Sequence, residues 1–342
     1  SKIHIDDLDK IYDSINIEKL MKKADKNDPE SQYKLGVIYS KGELVKADID
    51  KAIHYFKLAS EHNYTPALID LGFLYLDNVN VKRDMNKVIH YLSLAAELND
   101  LKAQSFLAQT YYDGIFVARD ISKAIYYFKQ GTKHENMHSY FMLGMIYYED
   151  KYIHRDVDKA IEYTKYAADR NYENAQFYLG KIYYEKKDFE NAIHYFQLAE
   201  KQNNKDAQFY LGKFYYEDVE DIDKAIHYFE LAANQNDSDS QNCLGYIYIS
   251  GEYVSRDIGK AIHYYTLSAN QNNVNAQYNL GLVYFTNEVI SRNIDKSIHY
   301  FTLAADQNDS KAQNNLGYIY LTDKFGKKDI MKALKYFKLA AN

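Results

Sequence analysis

The chain has 342 residues, 46% of them hydrophobic, so a continuous apolar core can form. Its net charge of −6 argues against nucleic acid, which demands a clustered basic footprint that the sequence lacks. Cys243 stands alone, which excludes an intrachain disulfide and a cysteine-rich zinc site, and no apolar run approaches the ~20 residues of a membrane span.

Residues 1–27 are expected to form a degenerate N-terminal helical cap or partial repeat. The start, Ser1-Lys2-Ile3-His4, has neither methionine nor the apolar stretch of a signal peptide, and reads as processed or engineered. The compartment is expected to be reducing and cytoplasmic. Residues 15–27 read as the second helix of an incomplete repeat, with Asn16 in its small-residue column and Leu20 in its Phe column.

From residue 28 to 342 one pattern recurs nine times. A first tyrosine column runs through Tyr39, Tyr75, Tyr111, Tyr147, Tyr183, Tyr215, Tyr248, Tyr284 and Tyr320. Each follows a Leu-Gly pair, or Leu107-Ala108 in the third repeat. A second column holds Tyr55, Tyr91, Tyr127, Tyr163, Tyr195, Tyr228, Tyr264, Tyr300 and Tyr336. Such self-similarity, at a period of 32–36 residues, predicts a stacked helical solenoid in which each unit packs on its neighbours.

The first helix of each repeat is expected to begin near Asp28, Asp100, Asn204, Asp237, Asn273 or Asp309, where the side chain can cap unpaired N–H groups. Pro29 and Pro66 fall in the same first turn, where a missing N–H costs nothing. The second helix is expected to begin at Asp48 and its equivalents through Asp329. A recurring glycine inside a helix, as at Gly36 or Gly281, weakens it by up to ~1 kcal/mol and calls for a packing reason. The expected reason is close approach to the small residue of the second helix, Ala52 or Ser297. The step from that small residue to the next glycine is always 20 residues. The step within a repeat is 16 residues in seven repeats, 12 in the fifth and 13 in the sixth. The constant segment is therefore the stacking interface, and the variable one a surface loop.

The segment Tyr112-Asp113-Gly114-Ile115-Phe116-Val117-Ala118-Arg119-Asp120, followed by Ser122-Lys123-Ala124, resembles the Sel-1-like repeat, a longer-looped relative of the tetratricopeptide repeat. The resemblance covers residues 28–342. It departs from the family pattern in lacking the second loop glycine and in the tetratricopeptide-length loops of the fifth and sixth repeats. It implies an all-α, right-handed superhelical solenoid of about nine antiparallel helix pairs. It also implies an adaptor role in protein complexes, without naming the complex.

Six histidines share one register, from His54 to His299, a full repeat or more apart. Stacked repeats set them roughly 10 Å from each other, whereas zinc needs ligands within about 2.1 Å, so they read as exposed helix positions. Arg83, Arg119, Arg155, Arg256, Arg292 and Lys328 precede the second-helix caps and are expected to pair with the adjacent Asp and loop carboxylates, the alternative being a phosphate-binding stripe along the loop edge, where helix N-termini also attract anions. No phosphate loop, dinucleotide fingerprint or zinc-protease motif is present, and no nucleophile–base pair can be nominated. Neither cofactor nor metal is expected, nor enzymatic activity.

The candidate site is the inner, concave wall lined by the first helices. Tyr112, Tyr148, Tyr184 and Tyr216 fall one turn past the glycine column in four consecutive repeats. Phe141, Phe177 and Phe209 precede the glycine on the same face, and Lys181 and Lys213 follow it. Tyrosine suits recognition because its large face carries a low entropy cost and a hydroxyl. The same aromatics could instead fill the groove between helices. The expected partner is a protein or peptide segment with apolar and acidic residues, and weak self-association is expected through the C-terminal helix. The competing reading is a regulatory or targeting repeat arm of a larger enzyme, such as a signalling kinase.

Overall fold

A computed structural model describes residues 5–286 and 288–342. The chain divides into two compact units, Ser1–Tyr172 and Glu173–Asn342. In the first, helix α1 (Ile5–Asp25) precedes four antiparallel pairs. These are α2 (Pro29–Lys41) with α3 (Ile49–Ser60), α4 (Thr65–Leu76) with α5 (Met85–Glu97), α6 (Leu101–Asp113) with α7 (Ile121–Thr132), and α8 (Met137–Glu149) with α9 (Val157–Ala168). The second unit holds five pairs. They are α10 (Glu173–Glu185) with α11 (Phe189–Lys201), α12 (Lys205–Glu217) with α13 (Ile222–Asn234), α14 (Ser238–Ser250) with α15 (Ile258–Asn270), α16 (Val274–Phe285) with α17 (Ile294–Asp306), and α18 (Ser310–Leu321) with α19 (Ile330–Ala341). Among the described residues there is no strand, only the isolated bridge of Asn78 with Val81 in a loop. No helix among them is long and apolar enough to cross a membrane.

The helices start where the capping chemistry places them. Asp28, Asp100, Asn204, Asp237, Asn273 and Asp309 each accept a hydrogen bond from the backbone N–H three residues on. Asp48, Asp84, Asp120, Asp156, Asp188, Asp221, Asp257, Asn293 and Asp329 do the same for the second helices. The backbone N–H of each of these nine residues also donates to the carbonyl of the first-column tyrosine, at 2.8–3.0 Å. Long and short loops are thus closed by one and the same bond.

That tyrosine has a second task. Its ring stacks on the second-column tyrosine of its own repeat, with centroids 5.7–6.2 Å apart and planes within 3–11° in all nine repeats. Offset parallel rings at this separation are attractive beyond their buried area. In eight repeats a lysine near the start of the second helix lies over the first-column ring at 4.7–5.2 Å, a cation–π contact. The fifth repeat has Asn191 in that place.

The glycine column has a different partner from the one its spacing suggests. A Cβ on Gly36, Gly180, Gly212 or Gly281 would lie 2.5–2.6 Å from the ring of Phe56, Phe196, Phe229 or Phe301. Those rings sit four residues beyond the small residue. The glycine therefore makes room for a large buried ring, while the small residue seals the helix pair beside it. Ser297 shows this, fully buried and donating to the Gly281 carbonyl at 2.9 Å.

Between repeats the chain turns through one left-handed residue. Asn27, Asn63, Asn99, Glu135, Asn171, Asn203, Asn236, Asn272 and Asn308 have φ of 55–67°. Asparagine tolerates this region because its short side chain bonds locally, whereas a longer side chain is strained there. Glu135→Asn is therefore expected to stabilise the protein by about 0.5–1 kcal/mol in urea unfolding. Unchanged stability would show that Glu135 is already relieved by its surroundings.

A glutamine column escapes the sequence reading. Gln32, Gln104, Gln176, Gln208, Gln241, Gln277 and Gln313 are all buried on the first helices. Several donate from Nε2 to the carbonyl eight residues back, as Gln104 does to Ala96 at 3.1 Å and Gln241 to Ala233 at 3.3 Å. In the second unit four of their Oε1 atoms accept from the glutamine that follows the last residue of the second helix in the same repeat. Gln202, Gln235, Gln271 and Gln307 donate to Gln176, Gln208, Gln241 and Gln277, each at 2.8 Å.

Candidate peptide-binding face

The nine residues singled out on the first helices fall into different environments. In the first unit, Tyr148 is buried, 7% exposed, with the Arg155 guanidinium 4.0 Å from its ring centroid. Tyr112 is half-buried under Arg119 at 5.2 Å, and Arg119 donates from Nε to the Tyr112 carbonyl at 2.9 Å. Phe141 lies 5.8 Å from Tyr172 and 6.4 Å from His138. All three rings fill space between helices, and Tyr148 presents little surface to a ligand.

In the second unit, Tyr184 is half-buried among Phe189, Phe196 and Tyr210, and its hydroxyl donates to Asp218 at 3.0 Å. Burial and that carboxylate hold its phenol well above the usual range. Phe177 packs 6.0 Å from Phe196 and 5.7 Å from Tyr210, and Phe209 packs 6.1 Å from Phe229. Lys181 lies over Tyr178 at 5.8 Å, and Lys213 lies 3.9 Å from Glu217. Both lysines are half-buried. Surface pairs of this kind are worth little, so exchange for a partner's carboxylate costs little.

Tyr216 differs from the other three tyrosines. It is half-buried, stands 5.8 Å from Tyr253, and lines a cavity of about 170 Å³. The other walls include Asn242, Cys243 and Tyr246 of α14 and Asn279 of α16, so three successive first helices share it. Asn279 donates to Asn242 across the cavity wall at 3.2 Å. Burial pushes the Tyr216 phenol up to about 12 and the Cys243 thiol likewise to about 12, so both stay neutral and the cavity is a neutral one. Asn242, Tyr246 and Asn279 were not singled out from sequence. Their signal was present as polar residues at positions flanking the glycine column, but asparagine is so frequent in this chain that they do not stand out.

The loop arginines bond elsewhere than to their neighbouring aspartates. Arg83, Arg119 and Arg292 donate from Nε to the carbonyls of Leu76, Tyr112 and Phe285, at 2.7–2.9 Å, closing the first helix. Their guanidinium planes rest on aromatic rings of the next loop: Arg83 on Phe116, Arg119 on Tyr152, Arg292 on Phe325. Loop carboxylates, the expected partners, are met by Arg119 at Asp150 and by Lys328 at Asp323, the latter at 3.3 Å. Helix-end carbonyls carry partial negative charge, which accounts for the preference. The histidine column is exposed from His54 to His299, and among the described residues no three His, Cys, Asp or Glu side chains converge on a metal position.

Comparison with known proteins agrees with this geometry. The Sel1 repeat model matches residues 29–64, 65–100, 101–136, 205–237, 238–273, 274–309 and 310–342. A tetratricopeptide repeat model matches residues 150–207. No curated protein matches the chain. Among solved structures, a Sel1 repeat protein from Oxalobacter formigenes is 25% identical over 88% of this chain and 89% of its own, with a TM-score of 0.79. The protective antigen c5321 of uropathogenic Escherichia coli strains, which displays an SLR fold, is 27% identical over 95% of this chain and 71% of its own, with a TM-score of 0.72.

Proposed function

Because the chain belongs to the Sel1 repeat family, whose repeats generally mediate protein–protein interaction, we propose that it is a non-enzymatic scaffold holding a partner protein's segment along its first helices. The cavity beside Tyr216 carries this reading. Its walls come from three first helices, it is apolar enough to take one aliphatic side chain, and the Asn242–Asn279 pair offers amide groups to an extended backbone. Phe209 packs on Phe229, a wall of that cavity, Phe177 is a half-buried apolar contact on α10, and Lys181 and Lys213 supply positive charge for acidic residues of the segment. The lysines would govern the association rate and its salt dependence more than the affinity.

Affinity capture from the native source followed by mass spectrometry supplies the partner. The test is then the partner's affinity for Tyr246→Ala and Asn279→Ala, two half-exposed positions whose loss should leave the fold intact. Binding weakened by about 1–3 kcal/mol at each is expected, as for hot-spot residues. Unchanged affinity at both would move the surface to the arginine-bearing loops.

Self-association is a second expected property. Helix α19 leaves Ile330, Met331, Leu334 and Leu339 between 43% and 76% exposed. In repeat arrays an uncovered apolar helix face lowers solubility. Analytical ultracentrifugation of the 342-residue chain should show a weak dimer that disappears when a polar helix is added after Asn342. A strictly monomeric protein at high concentration would refute this.

A further inference from the structure

The buried glutamine column contains its own control. Four of its members in the second unit have Oε1 satisfied by a glutamine amide at 2.8 Å. Gln104, 1% exposed, has no partner for Oε1. The reason is local. The residue in the donor's place, ten beyond the small residue of the second helix, is His134, where Gln202, Gln235, Gln271 and Gln307 stand elsewhere. The His134 ring nitrogen Nε2 reaches Asn99 Oδ1 at 3.1 Å and leaves the Gln104 acceptor open. A buried acceptor without a donor has lost its water and gained no bond in return, a standing incentive for an incoming donor.

Gln104 also lines a cavity of about 210 Å³, with Glu97, Asn99, Tyr126 and Gln130 among the other walls. Two more departures from the repeat pattern converge here. Tyr126 stands where six other repeats have an exposed histidine, and Gln130 where others have Leu58, Leu94, Leu198, Leu231, Leu267 or Leu303. Three substitutions in one repeat thus exchange an apolar wall and an internal donor for an aromatic face, an extra amide and an open acceptor. Tyr126 is 56% exposed and meets Tyr127 edge-on at 5.1 Å, so the Tyr126 ring is offered to solvent. Glu97 adds a carboxylate at the rim. Lys133, which donates to Gln130 at 3.0 Å, is the opposing charge there.

We infer that this cavity binds the guanidinium of an arginine side chain presented by a partner protein. A guanidinium has five donors in a plane and stacks on aromatic faces, which matches an orphan carbonyl, a rim carboxylate and an open tyrosine ring. An ammonium would meet the carboxylate and the ring only as a point charge, without the planar fork that donates to the carbonyl and the carboxylate while lying flat on the tyrosine. The lining comes from α5, α6 and α7 at the turn between repeats, so the site is separate from the Tyr216 cavity and stands or falls independently of it.

The test uses the full chain, with Nα-acetyl-arginine amide as probe and the neutral, isosteric citrulline derivative as control. The side-chain amide NMR signals of Gln104 and Gln130 report occupancy. A saturable shift with the arginine probe is expected, and binding about tenfold weaker, ~1.4 kcal/mol, with the citrulline control. His134→Gln restores the internal donor and should weaken the arginine probe by a similar factor while raising the melting temperature. Tyr126→His, which restores the residue of six other repeats, carries the same comparison if His134→Gln does not fold. Three results would overturn the assignment: no saturable shift, which leaves the cavity to water; equal affinity for both probes, which makes it a carboxamide site; or undiminished binding by both variants.

Discussion

Deleting Asn203 is expected to destabilise the second unit by at least about 4 kcal/mol, whereas inserting four residues after Lys187 should cost under about 1 kcal/mol. Asn203 holds the left-handed turn, with φ of 64°, between α11 and α12. Its loss shifts α12 by one residue against α11, a rotation of about 100°. Ala207 and Leu211, both fully buried, would leave the interface, and each large buried side chain so displaced is worth roughly 2–5 kcal/mol. The insertion acts on a loop of residues 186–188, which connects α10 to α11. Lengthening a loop costs only the logarithm of its length. The closing bond from Asp188 N–H to the Tyr183 carbonyl, 2.9 Å, is the one that Asp156 makes to Tyr147 across a longer loop, also 2.9 Å. Urea unfolding of both variants decides the matter. Equal stabilities would mean that the stacking segment tolerates slip and that the repeat register is not set there.

Two tyrosines of the candidate face should separate cleanly on truncation. Tyr148→Ala removes a ring that is 7% exposed and covered by Arg155, and should lower stability by about 3–5 kcal/mol. Its affinity per folded molecule for the captured partner should not change. Tyr216→Ala removes a half-buried ring at the mouth of a cavity, so it should cost less in stability and weaken binding by about 1–3 kcal/mol. Melting temperature and affinity, measured on both variants, test the contrast. A Tyr216→Ala protein as unstable as Tyr148→Ala, with unaltered affinity, would take Tyr216 off the binding surface.

The architecture was legible because each repeat writes its own punctuation. Asp and Asn caps fix both helix starts, and the two tyrosine columns mark the helix pair, so period and loop lengths could be counted directly. What the columns touch was less legible. The spacing shows that a glycine needs a close neighbour, but the neighbour lies on another helix, and Phe56 rather than Ala52 proves to be the ring that fills the space above Gly36. The loop arginines likewise have aspartates beside them in sequence, yet bond the helix-end carbonyls that only the folded turn brings near. On the candidate face, Tyr112, Tyr148, Tyr184 and Tyr216 share a register, so sequence treats them alike. Their burial differs because it depends on which loop residue covers each: Arg119, Arg155, Asp218 and Tyr253 in turn. The cavity beside Tyr216 needs three helices to exist and has no linear signature.

The stacked tyrosine pairs give this protein a built-in optical reporter. It has 37 tyrosines and no tryptophan, so its near-ultraviolet absorption is not masked by indole. Two phenol transition dipoles held nearly parallel about 6 Å apart couple to each other, and the coupling vanishes once a helix pair opens and the rings part. Near-ultraviolet circular dichroism therefore carries a contribution from each intact pair, whereas the far-ultraviolet signal reports helix. Replacing the second-column tyrosine of a single repeat with phenylalanine removes that repeat's phenol–phenol coupling from the spectrum while keeping a ring in the stack. A panel of nine such variants would read out the order in which the repeats come apart.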